Sequence, residues 1–199
     1  GVRVEVTADP ATALAADLLV LPGTRATVDD LAWMLARGLD DVVRRRHEAG
    51  RPTLGICGGY QMLGRLIVDA VEQTGASTSW ADTAGTSADV AGLGILPLRV
   101  DFHPDKILAR PTGAWEGHRT TGYEIHHGRP TTLGPVDEDF LDGMRAGSTW
   151  GTHWHGAFES DDFRRAWLTR VATDAGHPWR PDPTAPGFAE RRERMIDTL

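Results

Sequence analysis

The chain of 199 residues holds a single cysteine, and the residues around it are the first sign of chemistry. Arg51 to Gly64 reads RPTLGICGGYQMLG. Thr53-Leu54-Gly55-Ile56 has the composition of a short apolar strand, and Gly58-Gly59-Tyr60-Gln61-Met62-Leu63 that of the opening turns of a helix. Cys57 stands on the corner between them. A tight strand-to-helix corner lifts a side chain clear of a sheet, and the unpaired N–H groups of the helix start favour thiolate over thiol. Gly55, Gly58 and Gly59 let backbone and substrate approach closely and tolerate a strained turn. A free cysteine is more often a small core hydrophobe, but a core residue has no need of three clustered glycines. The arrangement is the thiol counterpart of the serine nucleophile elbow.

A nucleophile needs a proton partner. Of the eight histidines, His155 in Trp150-Gly151-Thr152-His153-Trp154-His155-Gly156 precedes a glycine at the end of a strand, late enough in the chain for sheet closure to return it to Cys57. A packed, hydrogen-bonded histidine beside tryptophans is the competing reading. A developing oxyanion would be held by backbone N–H groups, those of Gly58, after the nucleophile, and of Gly23 in the Pro22-Gly23-Thr24 loop. The histidines show no HExxH spacing and there is no second cysteine, so no metal site is expected.

The segment Leu54-Gly55-Ile56-Cys57-Gly58-Gly59-Tyr60-Gln61-Met62-Leu63-Gly64 resembles the nucleophile motif of class I (triad-type) glutamine amidotransferases, in the form carried by cobyric acid synthases. Further stretches from Asp17 to Val171 carry the same resemblance: Leu21-Pro22-Gly23-Thr24, Gly92-Leu93-Gly94-Ile95-Leu96-Pro97, Gly122-Tyr123-Glu124-Ile125-His126-His127-Gly128-Arg129, and Gly151-Thr152-His153-Trp154-His155-Gly156 with Phe158-Glu159. The last of these favours His155 over His153. The resemblance implies a three-layer, flavodoxin-like α/β fold with a mostly parallel central sheet and helices on both faces. The family's first strand would fall upstream of Gly1, which leaves open that this sheet lacks one member.

The same resemblance implies hydrolysis of glutamine to glutamate and ammonia, with substrate contacts at Gln61 and Tyr60 and Lys106 on the α-carboxylate. A solvated surface lysine is an equal alternative for Lys106. Tyr123, Glu124 and His126 would line the acceptor side or serve structure. Triad-type enzymes commonly place a glutamate two residues after the histidine, where this chain has Ala157. Glu159 is the nearby candidate to orient His155, so the expectation is a Cys-His dyad with an open third position. In the family an ATP-dependent synthetase domain precedes the glutaminase and uses its ammonia to amidate adenosylcobyrinic acid a,c-diamide. No Gly-x4-Gly-Lys-Ser/Thr phosphate loop occurs here, so ATP and Mg are expected in that other domain and no cofactor in this chain. The glutaminase subunit of lipid II isoglutaminyl synthase shares two of the motifs but is expected to carry Asn where Ile125 stands. A catalytically silent α/β scaffold that only binds a partner is the alternative of another class.

Positioning these residues requires an α/β framework, and the remaining sequence supplies it. Acidic residues outnumber basic ones, 28 to 21, which gives no footprint for nucleic acid or anionic membrane. No apolar run is of bilayer length, and one cysteine fits a reducing cytoplasm. Val2 to Val6 alternates like a strand; since the chain opens on Gly1, it is expected to begin inside a longer polypeptide. Asp17 to Leu21 reads as a buried parallel strand. Thr27 is the expected cap of a helix with Asp29 and Asp30 in its first turn, split at Gly38 and ended by Gly50 and Pro52. Residues 69–91 read as a surface loop, a strand follows through Phe102, and Gly122 to Arg129 reads as a strand ending in a glycine turn. A helix is expected from Ser160 with Phe163, Ala166, Trp167 and Val171 inward. Residues 1–176 form the expected amidotransferase domain, and 177–199 a proline-rich extension with a short terminal helix.

Overall fold

The computed structural model describes residues 1–69, 71 and 88–197. The first half lays down α1 (Pro10–Ala15), β1 (Leu19–Leu21), α2 (Thr27–Leu35), α3 (Leu39–Glu48), β2 (Thr53–Ile56), α4 (Gly58–Met62), β3 (Leu66–Asp69) and β4 (Ala88–Ala91). The second adds β5 (Leu98–Ala109), β6 (Thr112–Trp115), β7 (His118–Thr121), β8 (Glu124–Thr132), β9 (Glu138–Phe140), β10 (Gly143–Ala146), β11 (Thr149–Thr152), α5 (Asp161–Asp174) and α6 (Phe188–Ile196).

The central sheet has the order β1-β2-β11-β10-β9. Its parallel pairings join β2 to β1 on one side and to β11 on the other, while β9 and β10 extend it as an antiparallel meander. Side chains alternate across a strand. Leu21 of β1 therefore enters a core with Val28, Leu31, Val42, Val43 and Leu63, whereas Leu54 of β2 and Trp150 of β11 enter the opposite one. That second core is aromatic: Trp150 meets Trp167 of α5 edge-on at 5.7 Å, and Phe140 and Phe163 pack beside them. Phe163, Trp167 and Val171 form the buried face of α5, as their spacing predicts. Helical layers thus cover both faces of the sheet. A second sheet, β4-β3-β5-β8, carries Glu124-Ile125-His126 on its outer strand β8, directly after Gly122-Tyr123.

Arg46 of α3 ties the helical layer to the sheet. It is wholly buried, and its guanidinium donates to the backbone oxygens of Ala13, Leu14, Ala16, Asp17 and Pro52. Burial first, and then neighbouring Arg51, pulls its pKa down to about 10. Gly38 sits at φ 67° and separates α2 from α3 as expected.

Four local expectations need correction. Residues 2–6 form no strand, and Val2, Val4 and Val6 are exposed; alternation makes a strand only where a neighbour completes its ladder. Thr27 is the first residue of α2 and not its cap. Thr24 accepts from Ala26 N at 3.1 Å and donates to Asp30, while the Thr27 hydroxyl turns inward to Gln61 Oε1 at 3.2 Å. Gly128 ends no strand: it lies inside β8, where a Cβ would stand 2.5 Å from Gln61 Nε2 and 2.6 Å from Val100. The stretch read as one loop begins and ends in the antiparallel pair β3 and β4; residues 70 and 72–87 lie outside those described. The tail ends in α6, which buries none of its side chains. Among the described residues no helix is long and apolar enough to cross a membrane.

Candidate active site

Cys57 joins β2 to α4 with φ 50° and ψ −112°, a conformation that L residues rarely hold. Two strand ends and the first turn of α4 pin it there. Its N–H donates to Thr152 O of β11 at 2.8 Å, its carbonyl accepts from Gln61 N at 3.0 Å, and Gly59 N donates to Pro22 O beyond β1 at 3.2 Å. The glycines leave no room for side chains. A Cβ on Gly59 would lie 2.2 Å from Leu21 O, and one on Gly55 2.7 Å from the Tyr60 backbone. Gly58 is the first residue of α4, so its N–H has no acceptor within the helix and is free in principle for an oxyanion.

His155 reaches the same point from β11, which runs parallel to β2 with Thr152 opposite Ile56. A Cβ built on Gly23 would lie 2.6 Å from His155 Cε1, 3.5 Å from its Nδ1 and 3.5 Å from Cys57 Cβ. One small, exposed position therefore touches both the sulfur-bearing side chain and the imidazole. Burial first, and then the charge of His153, lowers the pKa of His155. The ring is stacked on Tyr123, centroids 5.0 Å apart and planes 14° from parallel. Among the described residues, the histidines paired with carboxylates are His153 with Asp142 and His177 with Asp17. Glu159 sits on a single 3-10 turn, exposed, with Oε1 3.5 Å from where a Cβ on Gly156 would stand.

His153 has a different setting. It is buried, its Nδ1 donates to Asp142 Oδ2 at 2.7 Å, and its backbone N donates to Asp142 Oδ1 at 3.0 Å. Burial would raise Asp142, but the bonds from His153 and Thr152 hold its carboxyl below the ordinary value. His126 stacks on His153 at 4.0 Å and gives its Nδ1 to Gly128 O at 2.9 Å. Burial, reinforced by the charge of His153, lowers the pKa of His126 to about 4. Glu124 is raised, by burial first and then by Asp142. Both histidines stand in stretches singled out in the sequence, but their stacking is not written there; only the fold brings β8 against the end of β11.

The two residues expected at the substrate, Tyr60 and Gln61, are buried beneath the elbow. Tyr60 is fully buried, its ring against Gly151 and Gly143, and burial keeps the phenol protonated well above its usual range. Gln61 is buried too, with its Oε1 taken by Thr27. Tyr60 turns onto the glycines of β10 and β11, whereas Gln61 lies between Thr27 of α2 and Gly128 of β8. Lys106 is exposed on β5, where the pairing with β8 slips between Phe102 and Ile107. Among the described residues no group of three His, Cys, Asp or Glu side chains could hold a metal ion.

A thiol on a strained strand-helix corner, an imidazole beside it and a sheet covered on both faces define an α/β domain of the nucleophile-elbow type. A crystal structure of a glutamine amidotransferase has the same fold, with a TM-score of 0.63 at 20% identity over 88% of this chain and 87% of that one. Residues 1–163 match the CobB/CobQ-like glutamine amidotransferase domain, and the chain belongs to that family. The cobyric acid synthase of Cutibacterium acnes is 52% identical over all 199 residues, and that of Streptomyces avermitilis 47%. The chain spans 39% and 37% of the length of those two curated relatives.

Proposed function

We propose that this chain releases ammonia from glutamine by thiol chemistry at Cys57 and His155. The ammonia passes to an ATP-dependent synthetase domain, which amidates side-chain carboxylates of a corrinoid, adenosylcobyrinic acid a,c-diamide. The support is the convergence at Gly23: a single small residue lies against both the Cys57 Cβ and the His155 ring. Relatives bearing the name cobyric acid synthase over this whole chain supply the acceptor class.

The chemistry follows in two halves. The Cys57 thiolate adds to the carboxamide carbon, and the resulting oxyanion takes hydrogen bonds from the N–H groups of Gly58 and Gly23. Protonated His155 gives its proton to the departing nitrogen, so ammonia leaves and a glutamyl thioester remains. His155, now neutral, takes a proton from water; the hydroxide attacks the thioester, and glutamate leaves as the sulfur regains its electron pair. Lys106, solvent-exposed on its bulge, is available to the α-carboxylate of glutamine. The chain's own groups suffice for these steps. ATP and Mg belong to the synthetase half.

The test uses the full-length polypeptide with wild-type Cys57 and with Cys57→Ala. Wild type is expected to release glutamate from glutamine, and Cys57→Ala to lose this while still amidating the corrinoid with added ammonium. Glutamate release at the wild-type rate by Cys57→Ala would refute the assignment. A wild type that releases none, even with synthetase and acceptor present, would mark the domain as a silent scaffold.

A further inference from the structure

We infer that Tyr123 is the positioning residue for His155, holding the imidazole by its ring face and by a reciprocal backbone bridge where a triad would use a carboxylate. The inference rests on the proposed role of His155.

Tyr123 N donates to His155 O and His155 N donates to Tyr123 O, both at 2.9 Å, in an antiparallel bridge outside the regular strands. The bridge sets the two backbones, and the stacked rings set the imidazole plane. Gly122 makes the approach possible: a Cβ there would stand 2.9 Å from His155 O. With one ring face covered, the Cε1–Nδ1 edge is left toward Gly23, which also lies against the Cys57 Cβ.

The stack also bears on charge. An aromatic face attracts a cation through its quadrupole, so Tyr123 favours the imidazolium that must form beside the thiolate. This opposes the lowering that burial and His153 impose on His155. The ionisable groups around His155 are Cys57 at the elbow, His153 on the preceding turn, Glu159 on the following one, and Tyr123 itself. Filling the core is not its task, because Tyr123 is 49% exposed. A residue so placed can be replaced at little cost in stability.

The experiment compares Tyr123→Phe, Tyr123→Ala and Tyr123→Leu in the full-length polypeptide, with wild type and Cys57→Ala as references. Glutamine hydrolysis gives kcat and KM, and alkylation of Cys57 by iodoacetamide across pH reports thiolate formation. Tyr123→Phe should resemble wild type. Tyr123→Ala and Tyr123→Leu should lose about 10- to 100-fold in kcat with little change in KM, and should need a higher pH for rapid alkylation. The leucine variant preserves bulk, so it reads the ring even if alanine fails to fold. Wild-type kcat and alkylation profiles in the leucine variant would overturn the inference. So would a defect confined to KM, or a phenylalanine variant as impaired as leucine. An inactive wild type would instead count against the glutaminase reading itself.

Discussion

Adding one methyl group at Gly23 tests the geometry of the site directly. The Cβ of Gly23→Ala would lie 2.6 Å from His155 Cε1, closer than the 3.0 Å below which real Cβ contacts are essentially never seen. Its 3.5 Å distance to Cys57 Cβ is ordinary contact, so the imidazole and not the elbow must yield. Gly23 is not among the positive-φ glycines, and alanine should suit its backbone. The fold should hold, or gain about 0.4–1 kcal/mol through the unfolded chain. Catalysis should not survive so well. Displacing His155 by most of an ångström costs about 100-fold in rate, and tilting the Gly23 N–H away from the oxyanion costs about as much again or more. We expect kcat for glutamine hydrolysis to fall at least about 100-fold in the full-length polypeptide, with a melting temperature unchanged or slightly raised. A variant that melts like wild type and turns over glutamine at the wild-type rate would show that Gly23 does not face His155 in the working enzyme.

Three further outcomes follow. His126 has its pKa lowered from 6.5 to about 4, so the unfolded chain binds the proton that the native state refuses. Its contribution to stability is full above about pH 6.5 and is lost as pH falls toward about 4. Melting temperatures should decline across that window, and less steeply in His126→Gln. Gly151→Ala would place a Cβ 1.9 Å from the Tyr60 ring and should cost about 1–3 kcal/mol or more in denaturant titrations. Arg46→Met strands five backbone carbonyls and should cost about 3 kcal/mol or more, read from the urea midpoint.

The parts legible in the sequence are those written in local pattern. The elbow announces itself by glycines around a lone cysteine, and α2, α3 and α5 by apolar spacing with Gly38 between the first two. What escaped depends on distant partners. Val2 to Val6 has the alternation of a strand and nothing to pair with among the described residues. Hairpin β6–β7 turns on Glu116-Gly117, both with positive φ, and glycine is a readable half of that signal. The turn from β9 to β10 puts Leu141 at φ 58°, which no sequence rule would favour. Tyr60 and Gln61 are pointed at substrate by the resemblance alone. Their burial is decided by Gly151, Gly143 and Thr27, far away in the chain. His153, Asp142 and His126 meet only when β8, the β9–β10 turn and β11 come together.

The backbone angle at Cys57 narrows what could replace it. A branched β-carbon is poorly tolerated at φ 50°, so threonine and valine are shut out on shape before reactivity is considered. Serine fits the corner but brings an alcohol whose proton is far harder to remove. The bend at position 57 thus leaves descendants of this domain few routes to another side chain there.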